Sequence, residues 1–303
     1  MQAAALTPAR VPAFAAYCRR HRSEVDESFL YDEDLRDFEP NEENPTYVLL
    51  DERGEIAGAA SLILDDYNRR CGKARFRIFH SEIDDRTTYE TLMRAMSAHT
   101  EGLRAVYQFV PIANDKLCGF MESLQFEAVR YSYLLVREDP EAPAASWPEH
   151  YELRAFRPGL DEAVWCEVRN AAFAALKGSE TPITPDNVKK TVASEDYIED
   201  GMMLLYHAGK PVGAVRCSDD EYEDRPILNI GPLAIVPEYQ GRGLGRCLLR
   251  SALRFAAMKG YPRTILCVNA ENERAKSLYL QEGFRQVEAV ACYEKPLRRQ
   301  DRT

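Results

Sequence analysis

Gly241, Gly243 and Gly245 occupy alternate positions between an apolar run and a helical pattern in ILNIGPLAIVPEYQGRGLGRCLLRSALRFAAMKG (227–260). The first turn of a helix has unpaired N–H groups and the positive end of the helix dipole, and glycine lets backbone approach a ligand closely. A loop of this kind can cradle a pyrophosphate; it can equally be a plain turn. Competing phosphate motifs fit worse. A P-loop ends in Gly-Lys-Ser/Thr, which this stretch lacks, and a dinucleotide G-x-G-x-x-G would need glycine at Arg246 or at Leu248. Gln240 and Leu244 complete the loop, and Arg242 and Arg246 stand where they can meet phosphate. Along the following helix Cys247, Leu248, Ser251, Ala252 and Phe255 mark an apolar face, with Arg250 and Arg254 turned to solvent.

Upstream, Gly231-Pro232 interrupts the β-rich run 227–236. A proline there removes a ladder donor and marks a bulge. A strand splayed at such a point can hydrogen-bond an extended ligand as though it were another strand. Pro232 has no N–H, so the donors are expected from Leu233, Ala234, Ile235 and Val236. Downstream, LCVNAENERAKSLYLQEGF (266–284) places Asn272 as a helix N-cap and Gly283 at the C-terminal end. Asn269 either hydrogen-bonds a ligand or caps a strand end. Tyr279 is either half-buried packing or a proton donor.

Gln240-Gly241-Arg242-Gly243-Leu244-Gly245 resembles the Q/R-x-x-G-x-G/A signature of the GCN5-related N-acetyltransferase (GNAT) superfamily, and 266–284 is similar to its L-x-V-x-x-x-N-x-x-A-x-x-L-Y-x-x-x-G-F signature at every specified position. The resemblance implies acetyl-CoA as co-substrate, with its pyrophosphate on Gln240–Arg246, its pantetheine along Leu233–Val236 with Asn269 and Asn272 nearby, and no metal. It further implies that a backbone N–H of the splayed strand polarises the thioester carbonyl and that Tyr279 protonates the departing thiolate. A primary amine on a small molecule or peptide attacks directly. The base that deprotonates it is not identified: Glu221, Glu223 and Asp224 are candidates within DDEYED, a run that also reads as a solvated hairpin loop. His207 reads as an ordinary strand residue. The alternative from another class is an acyl-CoA-binding regulatory or interaction protein without turnover.

The elements that must position these residues come in two copies. TYVLLDERGEIAGAASLIL (46–64) and MMLLYHAGKPVGAVRC (202–217) both read as hairpins with glycine at the matching place, Gly58 and Gly213. Near the ends, 109–136 overlays 267–294 at constant offset, Asn114 meeting Asn272 and Phe126 meeting Phe284. The expected fold class is α/β (α+β layered): two tandem GNAT-like domains, each a mixed central sheet flanked by helices, with a bulged, splayed strand in the C-terminal copy. The expected spans are 1–137, a proline-bearing linker 138–150, and 151–297. The first copy has no glycine in 75–96, carries Glu82, Asp84 and Asp85 instead, and has Met121 for Tyr279 and Gln125 for Gly283. It is expected to be a degenerate domain that packs or shapes an acceptor groove. The tandem layout resembles the mycothiol synthase group, whose C-terminal half is the active one. Acceptor selection is expected from 177–184 (KGSETPIT) and the last strands.

The 303 residues, 45% hydrophobic and 29% charged, suit two domains with cores of their own. No apolar run approaches the roughly 18 residues of a membrane span, and MQAAALTPARVPAF lacks the features of a secretory signal, so the chain reads as cytoplasmic. Eight cysteines without a C-x-x-C argue against zinc and against a disulfide framework. A net charge of −10 argues against nucleic acid and anionic lipid as partners and favours a cationic acceptor.

Overall fold

Apolar runs and amphipathic stretches alternate along the chain, and in the computed structural model, which describes residues 2–297, they fold as strands and helices of two units. Among the described residues the units are 2–132 with 288–297, and 133–287. Elements in the first are β1 (Ala3–Ala5), α1 (Val11–His21), α2 (Asp32–Arg36), β2 (Thr46–Leu50), β3 (Ile56–Ile63), α3 (Asp66–Cys71), β4 (Lys73–Ser81), α4 (Arg86–Met96), β5 (Ala105–Pro111) and α5 (Asp115–Ser123). β6 (Glu127–Arg137) crosses the division. β7 (Tyr151–Ala155), α6 (Glu162–Phe173), α7 (Pro185–Val192), β8 (Tyr197–His207), β9 (Lys210–Tyr222), β10 (Arg225–Ile235), α8 (Leu244–Met258), β11 (Thr264–Asn269) and α9 (Glu273–Gln281) build the second; β12 (Arg285–Pro296) again crosses. The stretch 138–150 carries neither helix nor strand.

In the first unit the strands run β1-β2-β3-β4-β5-β12. All are antiparallel except the pair β4/β5, and β12 joins from Val290↔Pro111 to Pro296↔Ala105. In the second the order is β6-β11-β10-β9-β8-β7, with β10/β11 parallel and β7 to β10 antiparallel. A mixed sheet with crossover helices is what βαβ segments embedded among hairpins produce. Phe14, Tyr17, Leu62, Phe79, Leu92 and Met121 fill the first core, and Leu204, Val212, Val215, Leu228, Leu248 and Leu266 the second.

Local geometry repeats between the units. Asn114 caps α5 by accepting from Leu117 N–H, and Asn272 caps α9 by accepting from Ala275 N–H. Beyond these helices Gln125 and Gly283 both adopt positive φ, +65° and +90°. The buried face of α8 includes Leu249 and Leu253 as well as Leu248, Ala252 and Phe255, while Cys247 and Ser251 are only half-buried. The expected apolar stripe is thus rotated, because the two leucines bury more surface than the thiol and hydroxyl they displace.

Gly201 in β8 marks a close backbone approach. A Cβ there would lie 2.5 Å from the Cys217 carbonyl oxygen and 2.9 Å from that of Ile198, neither of which can move aside like a side-chain tip. Gly201→Ala is expected to destabilise the protein by about 1–3 kcal/mol, the range of overpacked sites, seen as a lower urea midpoint.

Candidate active site

β10 pairs with β9 regularly from Arg225↔Tyr222 to Ile230↔Cys217, then resumes at Leu233↔Val215. Gly231 and Pro232 therefore lie opposite the single residue Arg216, the two-against-one count of a β-bulge. On its other side β10 pairs with β11 only at Leu228↔Thr264 and Asn229↔Ile265, although β11 continues to Asn269. The two parallel strands part at the bulge and leave a gap. Val236 donates its N–H to the Val212 carbonyl at 3.0 Å, so it turns toward β9 and does not offer the free donor expected of it. Alternation along a strand puts Ala234 on that same side, which corrects its expected role too, and turns the backbone of Leu233 and Ile235 toward the gap. There the Gln240 amide donates to the Ile235 carbonyl at 3.0 Å.

The loop that follows owes its shape to two glycines. Gly241 and Gly243 have φ of +86° and +79°, a left-handed conformation that strains any residue with a Cβ. Gly243 is the N-cap of α8, and no side chain caps that helix. The positive dipole end of α8 therefore lies at this loop without a side-chain cap, while the Arg246 N–H donates back to the Gly243 carbonyl at 3.1 Å. At Gly245 a Cβ would meet nothing nearer than the Leu278 Cδ2 at 3.7 Å, so internal packing does not demand glycine there. The Arg242 guanidinium lies over the Tyr239 ring at 4.7 Å and donates to the Glu238 carbonyl. Arg246 donates to Gln281 Oε1 at 2.5 Å and lies 3.3 Å from Glu282.

Arg250, expected in solvent, grips both oxygens of Glu282 at 2.8 and 3.0 Å. That carboxylate side chain is 2% exposed, and a buried charge requires a paired countercharge. Arg254 is exposed, as expected. A cation that sequence reading passes over is Arg274, whose Nη2 lies 3.6 Å from where a Gly241 Cβ would stand. Its position in the first turn of α9, after the cap Asn272, was the available signal.

A cavity of about 400 Å³ opens at the bulge and gathers Leu233, Asn269, Asn272 and Tyr279, with Trp165 and Phe173 of α6 and Asn187 and Thr191 of α7. Ser179 and Ile183 of the expected acceptor segment 177–184 also line it. Asn269 donates to the Lys177 carbonyl at 3.1 Å, tying the end of β11 to that segment. Tyr279 is 8% exposed, and among the described residues nothing hydrogen-bonds its hydroxyl. Burial first, and the neighbouring Cys267 thiol second, push its phenol up to about 12, so it holds its proton at neutral pH.

Glu221, Glu223 and Asp224 do not line the cavity; Glu223 and Asp224 form the β9–β10 turn, where Glu223 pairs with Arg225 at 2.9 Å. His207 lies against the Tyr151 ring at 4.4 Å in β8, a strand position with aromatic packing. Among the described residues the charged side chains lining the cavity are Arg169 and Arg216. Arg169 donates to the Thr181 carbonyl at 2.8 Å and Arg216 pairs with Asp196 at 2.5 Å, leaving the buried Arg216 Nε without a partner. This wall does not provide the acidic lining that a cationic acceptor would call for.

Residues 170–284 match the model of the acetyltransferase (GNAT) family. A mycothiol acetyltransferase of Catenulispora acidiphila is 29% identical over 172 residues, 55% of this chain and 54% of its own. The chain spans about half the length of this and the similar Arthrobacter relative. A GCN5-related N-acetyltransferase from Sphaerobacter thermophilus shares the fold with a TM-score of 0.73 at 22% identity, covering 98% of this chain and 95% of that one. A tandem GNAT protein of clavulanic acid biosynthesis superposes with a TM-score of 0.70 at 14% identity over 97% and 98%. No helix among the described residues is long and apolar enough to cross a membrane.

Proposed function

Since residues 170–284 match the model of the acetyltransferase (GNAT) family, we propose that the chain transfers acetyl from acetyl-CoA to a primary amine, and that the site of residues 133–287 does the work. One observation carries this reading: an uncapped helix N-terminus behind two left-handed glycines follows directly on a strand that parts from its neighbour beside a cavity holding a protonated phenol. The first feature suits a pyrophosphate and the second an extended chain of amides. The third supplies a general acid.

In this reading Gly241 to Gly245 receive the pyrophosphate, with Arg242, Arg246 and Arg274 as countercharges, and the gap-facing backbone of Leu233 and Ile235 receives the pantetheine. An N–H on that edge stabilises the oxyanion formed when the amine attacks the thioester carbonyl. The oxyanion then re-forms the carbonyl as the C–S bond breaks, Tyr279 donates its proton to the departing thiolate, and the nitrogen releases its surplus proton to solvent, from which the phenolate is re-protonated. Asn269 and Asn272 hold the cavity's rim.

The corresponding helix end of the first unit favours no such ligand. α4 is capped by Asp85, whose carboxylate accepts from the Thr87 N–H at 2.9 Å and hydroxyl at 2.6 Å. That charge opposes phosphate, and the fully buried Met121 occupies the place of Tyr279. The name of the curated relatives supports a small-molecule acceptor, and Arg169 and Arg216 weigh against a polycation. The test is release of free CoA thiol by the full chain with acetyl-CoA and a panel of small amines and amine-terminal peptides. Amine-dependent release is expected, strongest with small molecules; release with none of them contradicts the proposal.

A further inference from the structure

The first unit holds a cluster that the transfer reaction does not use. We propose that His21, Glu24 and His80 bind a divalent transition-metal ion of the zinc class, with Glu82 and Tyr17 as outer partners. The two imidazoles, from the end of α1 and the end of β4, stack at 4.4 Å and are 8% and 5% exposed. Glu24 reaches both: one oxygen is 2.7 Å from His21 Nδ1 and the other 3.4 Å from His80 Nε2. Ligand atoms of the three residues all lie within 4.8 Å of one another, a spread that a small inward movement closes around one ion.

The outer contacts distinguish this group from an incidental one. A metal-bound histidine generally has its second nitrogen engaged by a carboxylate or another acceptor, which sets the tautomer and aims the lone pair. His21 Nε2 meets the Glu82 carboxylate at 2.7 Å. His80 Nδ1 meets the Tyr17 hydroxyl at 2.7 Å, and that hydroxyl in turn points at the His80 carbonyl at 3.4 Å. With Tyr17 donating to the carbonyl, His80 Nδ1–H donates to Tyr17 and leaves the Nε2 lone pair directed at Glu24. Arg20 donates to the same Glu82 oxygen at 2.7 Å. The Glu24 side chain is 48% exposed, which gives an ion a route in and leaves a coordination position to water, as in three-ligand zinc sites.

The cluster's place in the fold adds a second argument. Gly58 pairs with Ser81 as Gly213 pairs with Ile235, so His80 occupies the strand position of Ala234. Where the second unit presents an uncapped helix and arginines to an anion, the first presents imidazoles and carboxylates, a lining that selects a cation.

The test uses the full chain, stripped with EDTA and kept reduced, titrated with zinc chloride in a calorimeter and with cobalt chloride by visible absorption. One ion per chain is expected, with cobalt bands of nitrogen and oxygen ligation and no thiolate charge-transfer band. Glu24→Gln, at an exposed position, and His80→Asn should abolish binding, and Glu82→Gln should weaken it about 10–100-fold. Acetyl-CoA binding should stay unchanged throughout, which keeps this proposal separate from the previous one. Absence of zinc binding, or undiminished binding in Glu24→Gln, overturns it; should His80→Asn fail to give a native circular dichroism spectrum, Glu24→Gln and Glu82→Gln decide.

Discussion

Tyr279→Phe should lower turnover by about 10²–10⁴-fold, the usual contribution of a general acid, while acetyl-CoA binds as before. The ring fills the same volume against Phe284. Because no group among the described residues hydrogen-bonds the hydroxyl, its removal orphans no buried partner, and the midpoint of unfolding should scarcely move. The loss therefore reads chemistry rather than folding. The pH profile gives a second readout. The phenol is pushed up to about 12 by burial and by the Cys267 thiol, so the acid form persists across the neutral and mildly alkaline range, and turnover should rise with pH as the amine acceptor deprotonates, with no descending limb from Tyr279 below that value. The same shift makes a stability statement. The folded phenol holds its proton more tightly than an unfolded one near 10, so this contribution is intact below pH 10 and is lost as pH rises through about 12. Unchanged turnover in Tyr279→Phe, with acetyl-CoA still bound, would show that Tyr279 is not the general acid.

The double substitution Gly243→Glu, Gly245→Glu should weaken acetyl-CoA by more than about two orders of magnitude. Two carboxylates would face the pyrophosphate, and like-charge juxtaposition costs several kcal/mol, each 1.4 kcal/mol being a factor of ten. Gly243 also has φ of +79°, where a side chain costs roughly 1–2 kcal/mol. Acidic residues at a helix N-terminus return about 0.3–1 kcal/mol each, so the fold should survive while the ligand is lost. Arg254→Glu, on the exposed face of α8, changes charge on the same helix and should leave binding intact.

The parts of this site that depend on one short stretch of chain were legible in the sequence. Gly231-Pro232 announces the bulge because proline cannot serve a ladder, and the glycines at 241 and 243 announce a left-handed loop because other residues strain there. Asn272 was visible as a cap for the same local reason. What depends on contacts between distant segments was not. Nothing in the spacing of Arg250 shows that a buried Glu282 waits for it, and the helical period alone does not rank Leu249 and Leu253 above Cys247 and Ser251. Alternation would have sorted Val236 from Leu233 only once one hydrogen bond of β10 to β9 was known. His21 and His80 lie on α1 and β4, and only the packing of helix on sheet makes them neighbours; cysteine and histidine spacing carries no trace of it.

The most direct measurement is a calorimetric titration of the intact, unmodified chain with acetyl-CoA. One site per chain is the predicted result, from the proposed donor site at the uncapped N-terminus of α8 and the carboxylate-capped helix end in the first unit. Two sites per chain would contradict the division of labour between the units, and no binding would contradict the donor site itself.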